Sequence, residues 1–411
     1  SDSTRDVSLL NVAYPILKKW FEWWMPNRDG NGDGLLEWGS DPVPVDREQT
    51  WDAFTLKGAM FESGLDNSPM WDDTSFNIDS HTMELSAIGL NSLYALDARA
   101  LGQLAHLLDQ NEDSNKFNAL YRTMVERINK NLWDEEAGIY KNRHWSDDFS
   151  DHLSPTCFYP MIAQIASEAQ AKRMVQEHLL NEEEFWGAYI IPSIARNDPG
   201  YQDMTYWRGS IWGPMNYLVY EGLRAYEMDV IASEFAQKSL NLFLQEWQQH
   251  THIYENYNSI TGQGKNEWWS YPVYTWGALL GFIAVQEVVD ADPFTGGWRF
   301  GTQNSPIAEV KNIQVAEGKL SVQVNENKAV KVMLNGELLL TSAGSVKNYT
   351  RTENNVAFIP EYTGSITIGL LPASADLHIT RNSQIQTIQT DASGQVDIVV
   401  KKAEVVKVGL A

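Results

Sequence analysis

All 16 tryptophans of this chain lie between Trp20 and Trp298, and none follows. That partition coincides with a change in hydrophobic period. Over 7–24, 82–108, 114–132, 156–180, 212–228, 231–247 and 273–289, apolar residues recur at steps of three and four, the spacing that gives a helix one buried face. From about Ala308 the text becomes short alternating Val/Ile runs, as at 320–324, 329–334, 365–370 and 404–408. Period two gives a strand one buried face, and Asn335-Gly336 between two such runs reads as a hairpin turn. Two incompatible periods in one chain call for two kinds of architecture. The expectation is a mainly α chain: a helical part over 1–292, a Pro- and Gly-rich linker over 293–306, and a small antiparallel β-sandwich over 307–411.

Between the helical stretches run polar loops loaded with Trp, Tyr, Asp and Gly. Helices joined by chemically rich loops suit a toroid of helix pairs whose loops gather at one end. Composition narrows the partners. A formal charge of −23 argues against nucleic acid, which needs a basic face, and against an anionic membrane surface. No run of eighteen apolar residues is present, so no membrane span is expected. An acidic surface suits a neutral ligand, although solubility alone explains much of the charge. Cys157 is the single cysteine, which excludes an intrachain disulfide and a thiolate metal cluster. The start Ser1-Asp2-Ser3-Thr4 lacks Met and a charged-then-apolar leader, as expected for a chain cut from a precursor or from inside a longer gene.

Three segments carry the chemistry. Residues 62–72 set Glu62, Asp66 and Asp72 around a Gly/Pro turn beside Trp71; an acid near indole rings has its pKa raised by desolvation, as a general acid requires. The same acids also suit helix capping. Residues 253–262 hold Glu255 between Tyr254 and Tyr257, where it can polarise a water as general base or serve as an ordinary surface acid. Residues 206–214 join Trp207, Arg208 and Trp212, suited to stacking on sugar faces or to simple core packing.

In this order the three segments resemble glycoside hydrolase family 63 and its relatives, which include processing α-glucosidases and mannosylglycerate hydrolases. The resemblance runs from about Trp20 to Val289. It implies an (α/α)6 barrel and an inverting hydrolase of α-glucosidic or α-mannosidic bonds, with Asp66 as general acid and Glu255 as general base. Inversion needs two carboxyl groups about 6.5–9.5 Å apart, leaving room for the attacking water. The substrate is an oligosaccharide or glycoside, and Trp71, Trp207, Arg208, Trp212, Tyr257, Trp268 and Trp269 are the residues expected to line its pocket. A complete barrel has six helix pairs and this chain supplies fewer, so the expectation is either that further N-terminal segments or another chain complete it, or that the barrel is shortened. The competing readings are a catalytically silent carbohydrate-binding or scaffold protein, and a trehalase-like glycosidase.

Residues 29–37 (Asp-Gly-Asn-Gly-Asp-Gly-Leu-Leu-Glu) set oxygen side chains at alternate positions with Gly at the sixth, as a calcium loop does. Ser40 stands where a full EF-hand has Glu. One structural Ca²⁺ held by Asp29, Asn31, Asp33, the Leu35 carbonyl and Glu37 is expected; a Gly/Asp surface turn is the alternative. The chain has no G-x-S-x-G elbow, P-loop or dinucleotide fingerprint. The calcium loop and glycan chemistry lean toward periplasm or cell exterior, while one thiol is compatible with cytoplasm. With no exposed aromatic cluster after Trp298, the C-terminal sandwich is expected to brace rather than bind.

Overall fold

A computed structural model describes residues 7–43, 52–264, 270–302, 307–352, 355–381 and 384–411. Two compact units divide the chain: residues 1–227 with 242–279, and residues 228–241 with 280–411.

The first unit is helical. Helix α1 (Ser8–Arg28) buries Tyr14, Phe21 and Arg28 and packs on α3 (Ile88–Leu107), where the Phe21 and Tyr94 rings stack at 4.2 Å. Helix α4 (Asn111–Asn131) lies against α3, its Phe117 edge-on to Phe21. The short α2 (Leu56–Ser63) starts at a Thr55 cap whose hydroxyl accepts the Gly58 N–H, and it stops at Gly64. The backbone there takes φ +70°, a left-handed turn that costs glycine nothing. Two arginine bonds tie α1 to α2: Arg28 Nε and Nη2 donate to Glu62 at 2.7 and 2.6 Å.

The apolar pattern over 156–180 does not form the single helix expected of it. It is a 3₁₀ turn (Pro155–Phe158), one turn of α5 (Tyr159–Ile162), α6 (Glu168–Arg173) and a π-helical turn (Met174–Leu179). Gln164 sits at φ +54°, breaking the run, and Ser167 restarts it with a capping box to Gln170. The expected start at Thr82 is also corrected. Thr82–Met83 pairs with Phe76–Asn77, and Leu85–Ser86 pairs with Arg143–His144, so the helix begins only at Ile88. Helix α7 (Gly213–Ala225) of this unit falls where the periodicity predicts, as do α8 (Asp229–His250) and α9 (Ala278–Val288), most of whose residues belong to the second unit.

The second unit holds two antiparallel sheets. One orders Gln384–Gln389, Asp376–Arg381, Val406–Leu410, Asn355–Pro360, Val346–Arg351, Trp298–Phe300 and Val289–Ala291; the other orders Ala308–Val315, Gly318–Val324, Val330–Leu334, Glu337–Ser342, Gly364–Ile368 and Val396–Val400. Alternate residues of both sheets, among them Val322, Val332, Ile366, Val356, Phe358 and Val408, join one apolar core. Of the expected linker 293–306, the described residues 293–302 are therefore not plain linker: Trp298–Phe300 is a strand, paired on one side with Val289–Ala291 and on the other with Val346–Arg351. Its alternation was hidden because the strand is only three residues long.

Candidate active site

The three segments singled out in the sequence come together in the helical unit. Past the Gly64 turn, the Leu65 carbonyl accepts both the Ser68 N–H at 3.0 Å and the Trp71 indole N–H at 3.0 Å. These bonds fold residues 65–71 back on themselves and set Asp66 on the loop, half-buried. Asn67, its neighbour, ties this loop to the second segment. Its Oδ1 accepts the Trp207 N–H at 2.9 Å and its Nδ2 donates to the Thr205 carbonyl at 3.2 Å. The second segment is then fixed to the third by a short ladder, Ile211 opposite Tyr257 and Trp212 opposite Asn256, which leaves Glu255 next to the strand end. The Glu255 N–H donates to the Tyr271 carbonyl at 3.0 Å.

Glu255 is only 4% exposed. The Tyr206 hydroxyl donates to its Oε1 at 3.1 Å, whereas its Oε2 is buried with no hydrogen-bond partner. Desolvation pushes the Glu255 carboxyl above the ordinary carboxylate range and the charge of Asp66 adds to this; Tyr206 and the Tyr271 backbone hold it back. Asp66 is raised as well, by desolvation. The Tyr206 phenol is pushed up by burial first, then by the charges of Glu255 and Asp66. The three groups thus form one electrostatic unit. The charge of Asp66 bears on Glu255, so the two carboxyls titrate as a pair.

The aromatic residues expected to line the pocket are mostly core. Trp207 and Trp212 stack on each other, centroids 3.5 Å apart and 8° between planes, and pack with Met215. The Trp212 indole N–H donates to the Tyr206 carbonyl at 3.0 Å, while the buried Trp207 Nε1 has no partner. Trp71 is buried among Ala59, Met70, Met83, Leu85, Ile194 and Tyr201. Tyr257 is buried too, its hydroxyl accepting the Tyr254 N–H at 3.1 Å. Arg208 grips Asp72 with two bonds of 3.0 and 2.8 Å and Asp203 with one of 2.5 Å, so its guanidinium braces two loops. Gly209 follows at φ +110°, a conformation that only glycine adopts without strain. Trp268 and Trp269 lie outside the described residues. Sequence reasoning passed over Asn67 and Tyr206 as individuals. Asn67 reads as a turn residue and Tyr206 as one more aromatic; only its hydroxyl, on a residue next to the Trp-Arg pair, hinted at a polar role.

In the loop 29–37 the side chains fold onto their own backbone. Gly30 N–H donates to Glu37 Oε2 at 2.7 Å, Leu35 N–H to Asp33 Oδ1 at 2.8 Å, Gly34 N–H to Asp29 Oδ2 at 3.1 Å and Asp33 N–H to Asn31 Oδ1 at 3.1 Å. Among the described residues no three His, Cys, Asp or Glu side chains gather as a metal-holding cluster. Glu37 is nevertheless fully buried, and no ion pair to it is seen among the described residues. Its carboxyl is pushed up to about 8 by desolvation, with Asp33 and Asp29 adding to the shift.

Residues 1–277 match the family described as mannosylglycerate hydrolase MGH1-like glycoside hydrolase domain. A probable mannosyl-oligosaccharide glucosidase of Schizosaccharomyces pombe is 24% identical over 282 residues, 64% of this chain and 33% of its own length. A mannosylglycerate hydrolase of Thermus thermophilus is 29% identical over 155 residues, 36% of this chain and 34% of its own. Among solved structures, a GH63 mannosylglycerate hydrolase of Thermus thermophilus in complex with glucose superposes with a TM-score of 0.54 at 23% identity, covering 69% of this chain and 71% of that one. The chain spans about a third of the length of both curated sequences. No described helix is long and apolar enough to cross a membrane.

Proposed function

The chain belongs to the mannosylglycerate hydrolase MGH1-like glycoside hydrolase family, and from that premise we propose that it hydrolyses an α-linked glucosyl or mannosyl glycoside with inversion, its helical part forming an (α/α)6-type toroid. The observation that carries the reading is that the loop of Asp66 is tied through Asn67 to the turn of Tyr206, whose hydroxyl bonds one Glu255 oxygen while the other, buried, has no partner.

Asp66 protonates the glycosidic oxygen as the bond to the anomeric carbon breaks. Glu255 takes a proton from a water that attacks the same carbon from the opposite face. The charge of Asp66 raises Glu255, so the pair resists carrying two negative charges at once, which suits one acid and one base. A bound sugar that seals the half-exposed Asp66 carboxyl from water raises it further, as its role as acid requires. The unpaired Trp207 indole N–H supports a hydrogen bond to a sugar hydroxyl, a more fitting part for it than stacking. Turnover of α-glucosides and α-mannosides by the chain, lost in both Asp66→Asn and Glu255→Gln, tests the assignment; full activity in either variant contradicts it.

We also propose one structural Ca²⁺ at the loop 29–37, held by Asp29, Asn31, Asp33, the Leu35 carbonyl and Glu37. Support comes from a fully buried carboxylate beside two further acids, with no ion pair to Glu37 among the described residues. Such a donor set of oxygens suits a hard divalent cation, which supplies charge neutralisation and takes no part in the reaction. The exposed Leu9, Val12, Ile16 and Trp20 of α1 support a further segment or chain packing there. For compartment, the periplasm or cell exterior fits a calcium-dependent glycan hydrolase.

A further inference from the structure

Tyr206 holds a backbone conformation that a side chain this large rarely takes, with φ +56°. Strain of that kind persists only where the surroundings over-determine it. Here they do. The Tyr206 carbonyl accepts the Trp212 indole N–H at 3.0 Å, the next N–H, that of Trp207, is held by Asn67 at 2.9 Å, and Thr205 bridges Arg208 across the turn. The phenol ring packs edge-on to Trp212 at 4.9 Å and to Trp207 at 6.0 Å. What this locked turn achieves is the aim of one hydroxyl, which donates to Glu255 Oε1.

A carboxylate has two equivalent oxygens and rotates freely unless one is fixed. A base that must face a single water loses rate whenever it turns the wrong oxygen or the wrong lone pair toward it. Glu255 escapes this because its two oxygens are made different: Oε1 is occupied and Oε2, in a residue 4% exposed, is not. We propose that Tyr206 is a positioning residue that fixes the Glu255 carboxylate through Oε1, so that Oε2 alone is presented to the attacking water. The inference rests on the reading of Glu255 as general base. The bond also favours the ionised carboxylate against burial and the nearby charge of Asp66, and Tyr274 is the further titratable group that bears on the phenol. Tyr206 acts through Glu255 and takes no proton itself: burial keeps its phenol protonated.

The test is Tyr206→Phe, which removes one oxygen and keeps the ring in its packing, assayed on the α-glucoside or α-mannoside that the wild-type chain turns over best. The expected result is a fall in kcat of about ten- to a hundredfold with KM little changed, and an acid limb of the pH–rate profile moved to higher pH, because the carboxylate has lost the donor that favours its charge. Fluorotyrosine at 206 keeps ring and hydroxyl and makes the O–H a stronger donor; it moves the acid limb down, and it serves where the Phe variant does not fold. An unmoved limb and unchanged kcat in these variants, with Glu255→Gln inactive, overturn the positioning role alone. An active Glu255→Gln, or a wild-type chain without turnover, overturns the base assignment and this inference with it.

Discussion

The Asn67 side chain and the Trp207 backbone are joined at 2.9 Å, across 140 residues of sequence, and this bond registers the loop of Asp66 on the loop of Tyr206. Asn67→Ala leaves the Trp207 N–H and the Thr205 carbonyl without that partner. The expected cost is about 1–3 kcal/mol of stability, the usual penalty for a buried polar group left unmade. Activity should fall further than stability, because Asp66 and Tyr206 lose their common register. Asn67→Asp keeps the acceptor for Trp207 and should lose less of both. Thermal unfolding alongside kcat separates the two effects; an Ala variant with wild-type kcat contradicts the coupling of the loops.

Leaving-group dependence distinguishes the two carboxylates. A general acid matters little when the departing group needs no proton, whereas the base must act on every substrate. Asp66→Asn should therefore retain much of its rate on glycosyl fluorides while losing it on natural glycosides. Glu255→Gln should lose both. The reverse pattern would exchange the roles.

His178 is built as a cation. Its Nδ1 meets Glu184 Oε2 at 2.7 Å and its Nε2 meets the Ala137 carbonyl at 2.8 Å, so both ring nitrogens face acceptors. Burial opposes the charge, but Glu184 and Ala137 outweigh it and raise the pKa. A raised histidine contributes its stability in full below the ordinary histidine pKa and loses it as pH rises through the folded value. His178→Gln should cost about 1–3 kcal/mol near pH 6 and less at pH 9. Denaturant unfolding at both pH values gives the difference, and a cost independent of pH contradicts a charged His178.

Calcium binding to the loop 29–37 should appear as a stability effect. Saturation at a hundred times Kd adds about 2.7 kcal/mol, so the unfolding temperature should rise with Ca²⁺ and fall with a chelator. Glu37→Gln should abolish the response. A melting curve indifferent to both additions removes the metal from the account.

Much of this was legible in the sequence, and the remainder was hidden for physical reasons. The two periods located the helices α1, α3, α4, α7, α8 and α9 and the strands after Ala308, because a half-buried element prints its period. The stretch 156–180 did not yield to the same reasoning, since residues 154–161 are buried on all sides and an apolar run without a polar face reads equally as one helix or several turns. Chemistry and neighbours marked the segments of Asp66 and Glu255, and the family resemblance singled out the two acids within them. The aromatics were harder: an indole in the core and an indole under a sugar look alike in sequence, and Trp71, Trp212 and Tyr257 are buried. Asn67 and Tyr206 act through one hydrogen bond each to a distant loop, which no local pattern records.

The central claim is that Asp66 and Glu255 invert an α-glycosidic bond. A proton NMR time course on α-linked glucosides and mannosides tests it most directly, by showing which anomer forms first. The account predicts early β-anomer, abolished by Asp66→Asn and by Glu255→Gln. Early α-anomer contradicts it.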